Sequence, residues 1–355
     1  MKDIMKKEKQ LNIENYKSEA LRNGGIFGLD KDIKGFTLVD RSYSINDELP
    51  TFMLANITPT GLDVDYNIER LKTIAEISAE NGVNVLVLPE LAVSGYVWEP
   101  ENGNKEEVFS QLNRCATDGK EVSKLITHFR SIMSESGLNL IVFNNIRKEE
   151  KKLYDTTFII GQNNDYLNCY YDKIFLTPIE KNYFYRGDDQ RLVVNTKYGK
   201  FGINICYDLV FNSMAEKYAY DDKVDAIINS AAWRRHSIRE YPLLNIRMDK
   251  YYEYIWDLKH AALASHNQVW NIGATCVGVF DKTGNYFSGG SGFWCPSGIC
   301  LLQASKSREE LLIMRNLDVT KHMRNQAVED FNYALDYDEV WRKVKNIPPK
   351  VKTIE

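Results

Sequence analysis

The chain has 355 residues, of which 44% are apolar, 26% charged and 12% aromatic; it can bury a sizeable core as one large domain or two, which excludes a disordered, fibrous or disulfide-dependent chain. Lys and Arg total 45 against 49 Asp and Glu, a net charge of -4, so no global positive field favours nucleic acid as a partner. No stretch approaches the roughly 20 apolar residues that span a bilayer, and no apolar run follows the charged N-terminus; no membrane association and a cytoplasmic location are expected.

Residues 1–50 are charged and show no sustained period, and are assigned to an N-terminal extension. From Thr51 the pattern sharpens. TFMLANI is a short apolar run, and Val64, Ile68, Leu71 and Ala75 fall on one helix face. Asn81 and Gly82 stop that helix, and VNVLVLP, Val83 to Pro89, reads as a strand buried on both faces. The order then repeats. Val122, Leu125, Ile126, Phe129, Ile132 and Met133 form a second helical stripe, Gly137 ends it, and LNLIVFN is a second buried strand. Such alternation defines an α/β fold. Downstream, LYDTTFIIG, LNCYYDK, RLVVNT and KFGINIC crowd together, which favours mixed over purely parallel sheets. A third helix-plus-strand unit lies in MAEKYAYDDKVDAIINS, followed by a helix from about Met248 to Ser265, a strand at VWNIGATCVG, and the segments GGSGFWCPSG and ELLIMRNLDV. Residues 51–320 contain no Pro-rich or Ser-rich divider and form one domain. Residues 321–355 are a tail, with Tyr337 and Trp341, of a kind that packs on a partner subunit.

Three strand ends carry chemistry. In LPELAVSGY, Glu90 follows the most apolar strand, where loss of water suits a carboxylate to general-base work; alternatively it caps a loop or pairs with a surface Lys. In YYDKIFLTPIEKNYFYRGD, Lys173 ends an aromatic strand and Glu180 lies seven residues on. A fixed ammonium there can stabilise an oxyanion; alternatively both residues are solvated. In KFGINICYDLVF, Cys206 ends an apolar strand as the chain turns toward a helix, where backbone N–H groups lower a thiol pKa. The other five cysteines, Cys115, Cys169, Cys276, Cys295 and Cys300, lack that context and are read as core. The six show neither a CxxC pair nor zinc-finger spacing, so no metal is expected. None of the five histidines sits at a strand end, so a Cys-His peptidase would need His260 or His266 to reach Cys206. GGSG at Gly289 to Gly292 reads as a turn, not a phosphate cradle.

Taken together, the three segments resemble the nitrilase superfamily of carbon-nitrogen hydrolases, whose triad runs Glu, Lys, Cys in that order. SAAWRR, ALASHNQVWNIGATCVG and GGSGFWCPSG resemble the segments that follow the Cys, and the resemblance spans roughly residues 51–318. It implies a four-layer αββα sandwich with mixed sheets, no cofactor, a homodimer or higher homo-oligomer, and hydrolysis of a non-peptide C–N bond in a small molecule through a thioester. Carried over, Glu90 is the base, Cys206 the nucleophile, Lys173 and the Tyr207 N–H the oxyanion donors, and Glu180 the carboxylate that holds the Lys.

Tyr-Asp after the Cys resembles amidase and carbamoylase branches, whereas true nitrilases tend to show Trp-Glu, so amide or N-carbamoyl substrates are expected. IEKNYFYRGD is similar to the corresponding stretch of N-carbamoyl amino acid hydrolases. Those enzymes place arginines shortly after the Cys, where this chain has Leu209, Val210 and Phe211; Arg234 or Arg235 could substitute. LASHN departs from the family's Arg-Ala-x-Glu-Asn, with Leu263 and His266 replacing both partners of a charge pair. Tyr96, Trp98, Tyr183, Phe184, Tyr207 and Trp233 are candidates for an apolar pocket wall, two or three of them contacting substrate. The alternatives are a nitrile hydrolase and a catalytically silent scaffold.

Overall fold

The computed structural model describes residues 27–42, 46, 48–96, 104–117, 119–188, 190–279, 286–320 and 332–349. In chain order the first half contains β1 (Phe27–Ile33), β2 (Phe36–Ser42), β3 (Phe52–Asn56), α1 (Val64–Glu80), β4 (Val85–Val87), α2 (Lys105–Arg114), α3 (Lys120–Glu135), β5 (Leu140–Glu149), β6 (Lys152–Gly161) and β7 (Tyr170–Asp172). The second half contains β8 (Val193–Thr196), β9 (Gly199–Ile205), α4 (Asn212–Glu216), β10 (Ala226–Ala231), β11 (Arg239–Tyr241), β12 (Ile246–Met248) and α5 (Tyr251–Asn267). It closes with β13 (Trp270–Thr275), β14 (Val277–Val279), β15 (Tyr286–Ser288), β16 (Gly292–Trp294), β17 (Cys300–Gln303) and β18 (Glu310–Arg315).

Two sheets organise these elements, one in the order β1-β2-β18-β3-β4-β5-β6-β7 and the other in the order β17-β16-β13-β10-β9-β8. Both are mixed: β3, β4 and β5 run parallel, as do β9, β10 and β13, while β18 against β3, β5 against β6 and β8 against β9 are antiparallel. The period-2 alternation of each strand sorts its side chains between two cores. On β3, Phe52 and Leu54 face the second sheet and pack with Phe201, Ile203 and Ile205 of β9, whereas Met53 and Ala55 face the helices. The Phe52 and Phe201 rings meet edge to face at 6.1 Å. Each such buried side chain contributes roughly 1.5–3 kcal/mol of transfer free energy.

Helices α1 and α3 cover the outer face of the first sheet through the stripes read from the sequence: Ile68, Leu71, Ile74 and Ala75, then Val122, Leu125, Ile126, Phe129 and Met133. Asp63 caps α1 by accepting from the Tyr66 N–H, and Gly82, at φ 70°, carries the chain out. On the other side α5 buries Trp256, His260, Leu263, Ala264 and Asn267 against the second sheet. That helix lies so close that a Cβ on Gly273 would stand 2.5 Å from His260 Cε1. The result is the expected four-layer αββα sandwich.

Two expectations need correction. Residues 27–42, placed in the extension, form a hairpin whose second strand pairs in parallel with β18, with Phe36, Leu38 and Val39 buried. Its turn is Lys34-Gly35, at φ 46° and 84°, which supplies the two left-handed residues that an Asn-Gly pair would have signalled. The described part of the tail also contacts its own domain, Tyr337 stacking on Tyr220 at 4.4 Å and Arg342 pairing with Asp221 at 2.7 Å. Cys300, read as core, lies exposed on edge strand β17. Gly289 and Gly290, at φ 60° and 79°, form the turn read at GGSG. Among the described residues no helix is long and apolar enough to cross a membrane.

Candidate active site

Glu90 begins the turn that follows β4, and its neighbours fasten that turn to both sheets. Its N–H donates to Ala231 O at 3.2 Å at the end of β10, while the Leu91 N–H donates to Asn144 Oδ1 of β5 at 2.6 Å. Its Oε2 accepts from the Ala232 N–H at 2.6 Å. Lys173 leaves β7 with its N–H donating to Asp155 O of β6 at 2.9 Å. Its Nζ reaches Glu90 Oε1 at 2.5 Å, Glu180 Oε1 at 2.7 Å and Asp155 Oδ2 at 3.3 Å, and all four side chains are fully buried. Glu180 also accepts from Tyr96 Oη–H at 2.7 Å and from the Thr177 N–H at 2.8 Å.

Cys206 follows β9 at φ 44°, a conformation unusual for a side chain of this kind, and opens a tight turn over Cys206–Val210. The Tyr207 N–H stands at the start of that turn, where helical geometry supplies no internal acceptor. Asp208 pins the turn to the lysine segment by accepting from Tyr171 Oη–H at 2.8 Å, the Phe175 N–H at 3.0 Å and the Ile205 N–H at 3.0 Å. Cys206 lies among Glu90, Lys173 and Glu180, with its thiol engaging the Glu90 carboxylate.

Burial pushes the Cys206 thiol well above its ordinary pKa, and Glu90 adds to the shift, while Lys173 only partly opposes it. The expectation of a lowered thiol pKa is therefore corrected: the resting group is S–H, because loss of water and a facing carboxylate outweigh the turn's dipoles. Burial alone would lower the Lys173 pKa, but the Glu180 and Glu90 carboxylates raise it well above the usual value, so the ammonium stays charged. Oxygens of Glu90, Asp155 and Glu180 lie within 4.8 Å of one another. Such a trio could ligate a hard cation, but Lys173 Nζ contacts all three and takes that position.

Of the expected wall residues, Tyr96 touches the cluster directly through Glu180. Tyr183 and Phe184 line, with Ile174 and Leu176, a cleft of about 500 Å³ beside the lysine segment. Tyr207 is half-buried against Phe211, ring centroids 5.4 Å apart. Trp233 follows β10 directly after Ala232, buried, its Nε1–H donating to Tyr252 O at 2.8 Å. Arg234 is half-buried and bridges to Phe287, and Arg235 is committed to Glu253 at 2.6 Å. Leu263 is buried and His266 exposed. Trp98 and His322 lie outside the described residues. His260 offers no base: burial lowers its pKa to about 3, Nδ1 meets Asn271 Oδ1 at 2.7 Å, and the ring stacks on Trp294. Sequence reasoning missed Asp155, Asn144 and Asp208. The one signal for Asp155 was an acid inside the otherwise uncharged strand LYDTTFIIG.

The αββα sandwich, with an acid, an ammonium and a thiol gathered where its two sheets meet, defines the class of nitrilase-fold proteins. A family model described as carbon-nitrogen hydrolase matches residues 54–321, and the chain belongs to that family, within the nitrilase superfamily of hydrolases acting on C–N bonds. It is 27% identical over 283 residues to a protein named probable nitrilase in Schizosaccharomyces pombe, covering 77% of this chain and 92% of that one. It is 26% identical over 277 residues to a nitrilase of Pyrococcus abyssi, covering 78% and 92%. The fold matches an amidase from Nesterenkonia sp. AN1 bearing the product of Michael addition of acrylamide at its active-site cysteine (TM-score 0.63, 20% identity, 83% of this chain and 99% of that one). It also matches Saccharomyces cerevisiae Nit3 (TM-score 0.60, 19% identity, 79% and 93%).

Proposed function

We propose that the protein hydrolyses a small amide or N-carbamoyl compound, with Cys206 as nucleophile, Glu90 as general base and acid, Lys173 as oxyanion donor and Glu180 as the carboxylate that holds Lys173. The observation that carries this reading is the fully buried Glu90-Lys173-Glu180 chain, with contacts of 2.5 and 2.7 Å, beside a thiol on a left-handed turn. Glu90 takes the proton from the resting thiol as Sγ attacks the carbonyl carbon, and Lys173 with the Tyr207 N–H receives the negative charge on oxygen. Glu90 then gives the proton to the departing nitrogen. Glu90 next deprotonates a water that attacks the thioester carbon, and as the C–S bond breaks the carboxyl passes that proton to the departing sulfur and the acid product leaves. The raised thiol pKa suits this cycle, since a base is needed only when substrate is present.

The side chains favour simple amides over ureido acids. Leu209 is buried where an arginine would meet a substrate carboxylate, and Arg235 is already paired with Glu253. A second reading, nitrile hydrolysis, is favoured by the names of the S. pombe and P. abyssi relatives. A screen of primary amides, ureido acids and nitriles for ammonia release separates them: turnover of an amide with little on nitriles is expected, and fast nitrile turnover overturns the assignment. Mass spectrometry should find an acyl group on Cys206, and undiminished turnover by Cys206→Ala refutes the nucleophile. We also propose a homo-oligomer, supported by the exposed apolar side chains of the tail, Trp341 and Ile347 among them; a monomer in light scattering refutes it.

A further inference from the structure

The buried cluster holds three carboxyl groups against one ammonium, and their hydrogen-bond donors are unevenly shared. Glu180 accepts three, from Lys173, Tyr96 and Thr177. Glu90 accepts from Lys173 and Ala232 and is engaged by the Cys206 thiol. Asp155 accepts one, at Oδ1 from Asn144 Nδ2 at 3.0 Å. Its Oδ2 is buried, stands 3.3 Å from Lys173 Nζ and accepts no hydrogen bond. Carboxylates this close cannot all ionise without water. Donors stabilise the charged form, so the acid with fewest donors is the one that keeps its proton.

We propose that Asp155 is a protonated positioning residue: its carboxyl donates from Oδ2 to Glu90 and fixes that carboxylate between Lys173 and Cys206. The other groups facing it agree. Lys173, from the end of β7, neutralises one charge; Glu90 and Glu180 supply two; Cys206 is a neutral thiol; and Asn144 on β5 is an uncharged donor. Burial and the Glu90 charge both raise the Asp155 pKa well above the carboxylate range. Asn144 is the anchor, giving its amide to Asp155 and taking the Leu91 N–H, so that it couples β6 to the turn carrying Glu90. Loss of the Asp155 proton at high pH puts a second uncompensated charge beside Glu90 and raises the thiol pKa further, which slows attack.

The proposal rests on Glu90 being the base, but its first test does not. The infrared difference spectrum of wild type minus Asp155→Asn at neutral pH should contain the carbonyl band of a neutral carboxylic acid that shifts in D2O. Only carboxylate bands in that difference overturn the protonated state, whatever the enzyme's reaction. In kinetics, Asp155→Asn keeps shape and a donor. It should retain kcat within about threefold below the alkaline descent and move that descent upward by at least about one pH unit. Asp155→Ala should lose about 10–100-fold in kcat with KM changed less than about threefold. A loss of about 100-fold in Asp155→Asn at neutral pH, or an alkaline descent that coincides with that of wild type, overturns the inference.

Discussion

Lys173→Met keeps the length of the side chain and removes the one positive charge that contacts Glu90, Glu180 and Asp155 at 2.5, 2.7 and 3.3 Å. With Asp155 protonated, the variant buries two carboxylates and no counter-charge. The folded state can recover the wild-type balance by binding one more proton. For a carboxyl of ordinary pKa, about 4.3, that uptake at pH 7 costs about 1.4 kcal/mol per pH unit, or about 4 kcal/mol, which agrees with the roughly 3–5 kcal/mol expected for breaking a buried pair. The extra proton is bound by the folded variant and not by its unfolded chain above pH about 4.3, so stability is regained as pH falls. The deficit should shrink to about 1 kcal/mol at pH 5. Urea unfolding of wild type and variant at both pH values measures it. A deficit equal at the two pH values, or under about 1 kcal/mol at pH 7, refutes the charge reasoning.

Other outcomes follow from the same geometry. Tyr96→Phe removes a hydrogen bond to the buried Glu180 carboxylate and should cost about 1.5–3 kcal/mol of unfolding free energy at neutral pH; a cost below about 0.5 kcal/mol means the phenol is not engaged. Burial pushes the Asp208 carboxyl up to about 6, so the folded state binds its proton more tightly than the unfolded chain. This group's contribution is fully present below pH about 4 and is lost, to the extent of about 3 kcal/mol, as pH rises through about 6. Asp208→Asn should therefore flatten the melting temperature's fall across that window, and parallel curves speak against it. Alkylation of Cys206 by iodoacetamide, followed by peptide mass spectrometry, should keep accelerating beyond pH 9, because the resting thiol is protonated. A rate already level near neutrality would show a thiolate instead.

The elements on which the site rests were legible because their signals are local. The stripes of α1 and α3 and the apolar runs of β5 and β9 repeat at their own periods, and Glu90, Lys173 and Cys206 interrupt such runs at strand ends. The hairpin of β1 and β2 was hidden by charged flanks and a Lys-Gly turn, and acquires its meaning only when β18, far along the chain, pairs with it. Asp155 and Asn144 were hidden for a related reason: each sits mid-strand, and their roles come from the neighbours that sheet pairing brings to them. The thiol's protonation state was misjudged because the turn's dipoles can be inferred from sequence, whereas burial and the facing carboxylate cannot.

Glu90 hangs from the eight-stranded sheet and Cys206 from the six-stranded one. On the roles proposed, base and nucleophile meet only when the two sheets have mated, and the interior between them, Phe52 and Leu54 against Phe201 and Ile203, acts as the spacer that sets their separation. A chain that has formed either sheet alone would carry an unarmed thiol, so on the roles proposed reactivity requires the two sheets to be docked. Shaving that spacer, as in Ile203→Val, would then alter the chemistry from within the sandwich, without touching any group that meets the substrate.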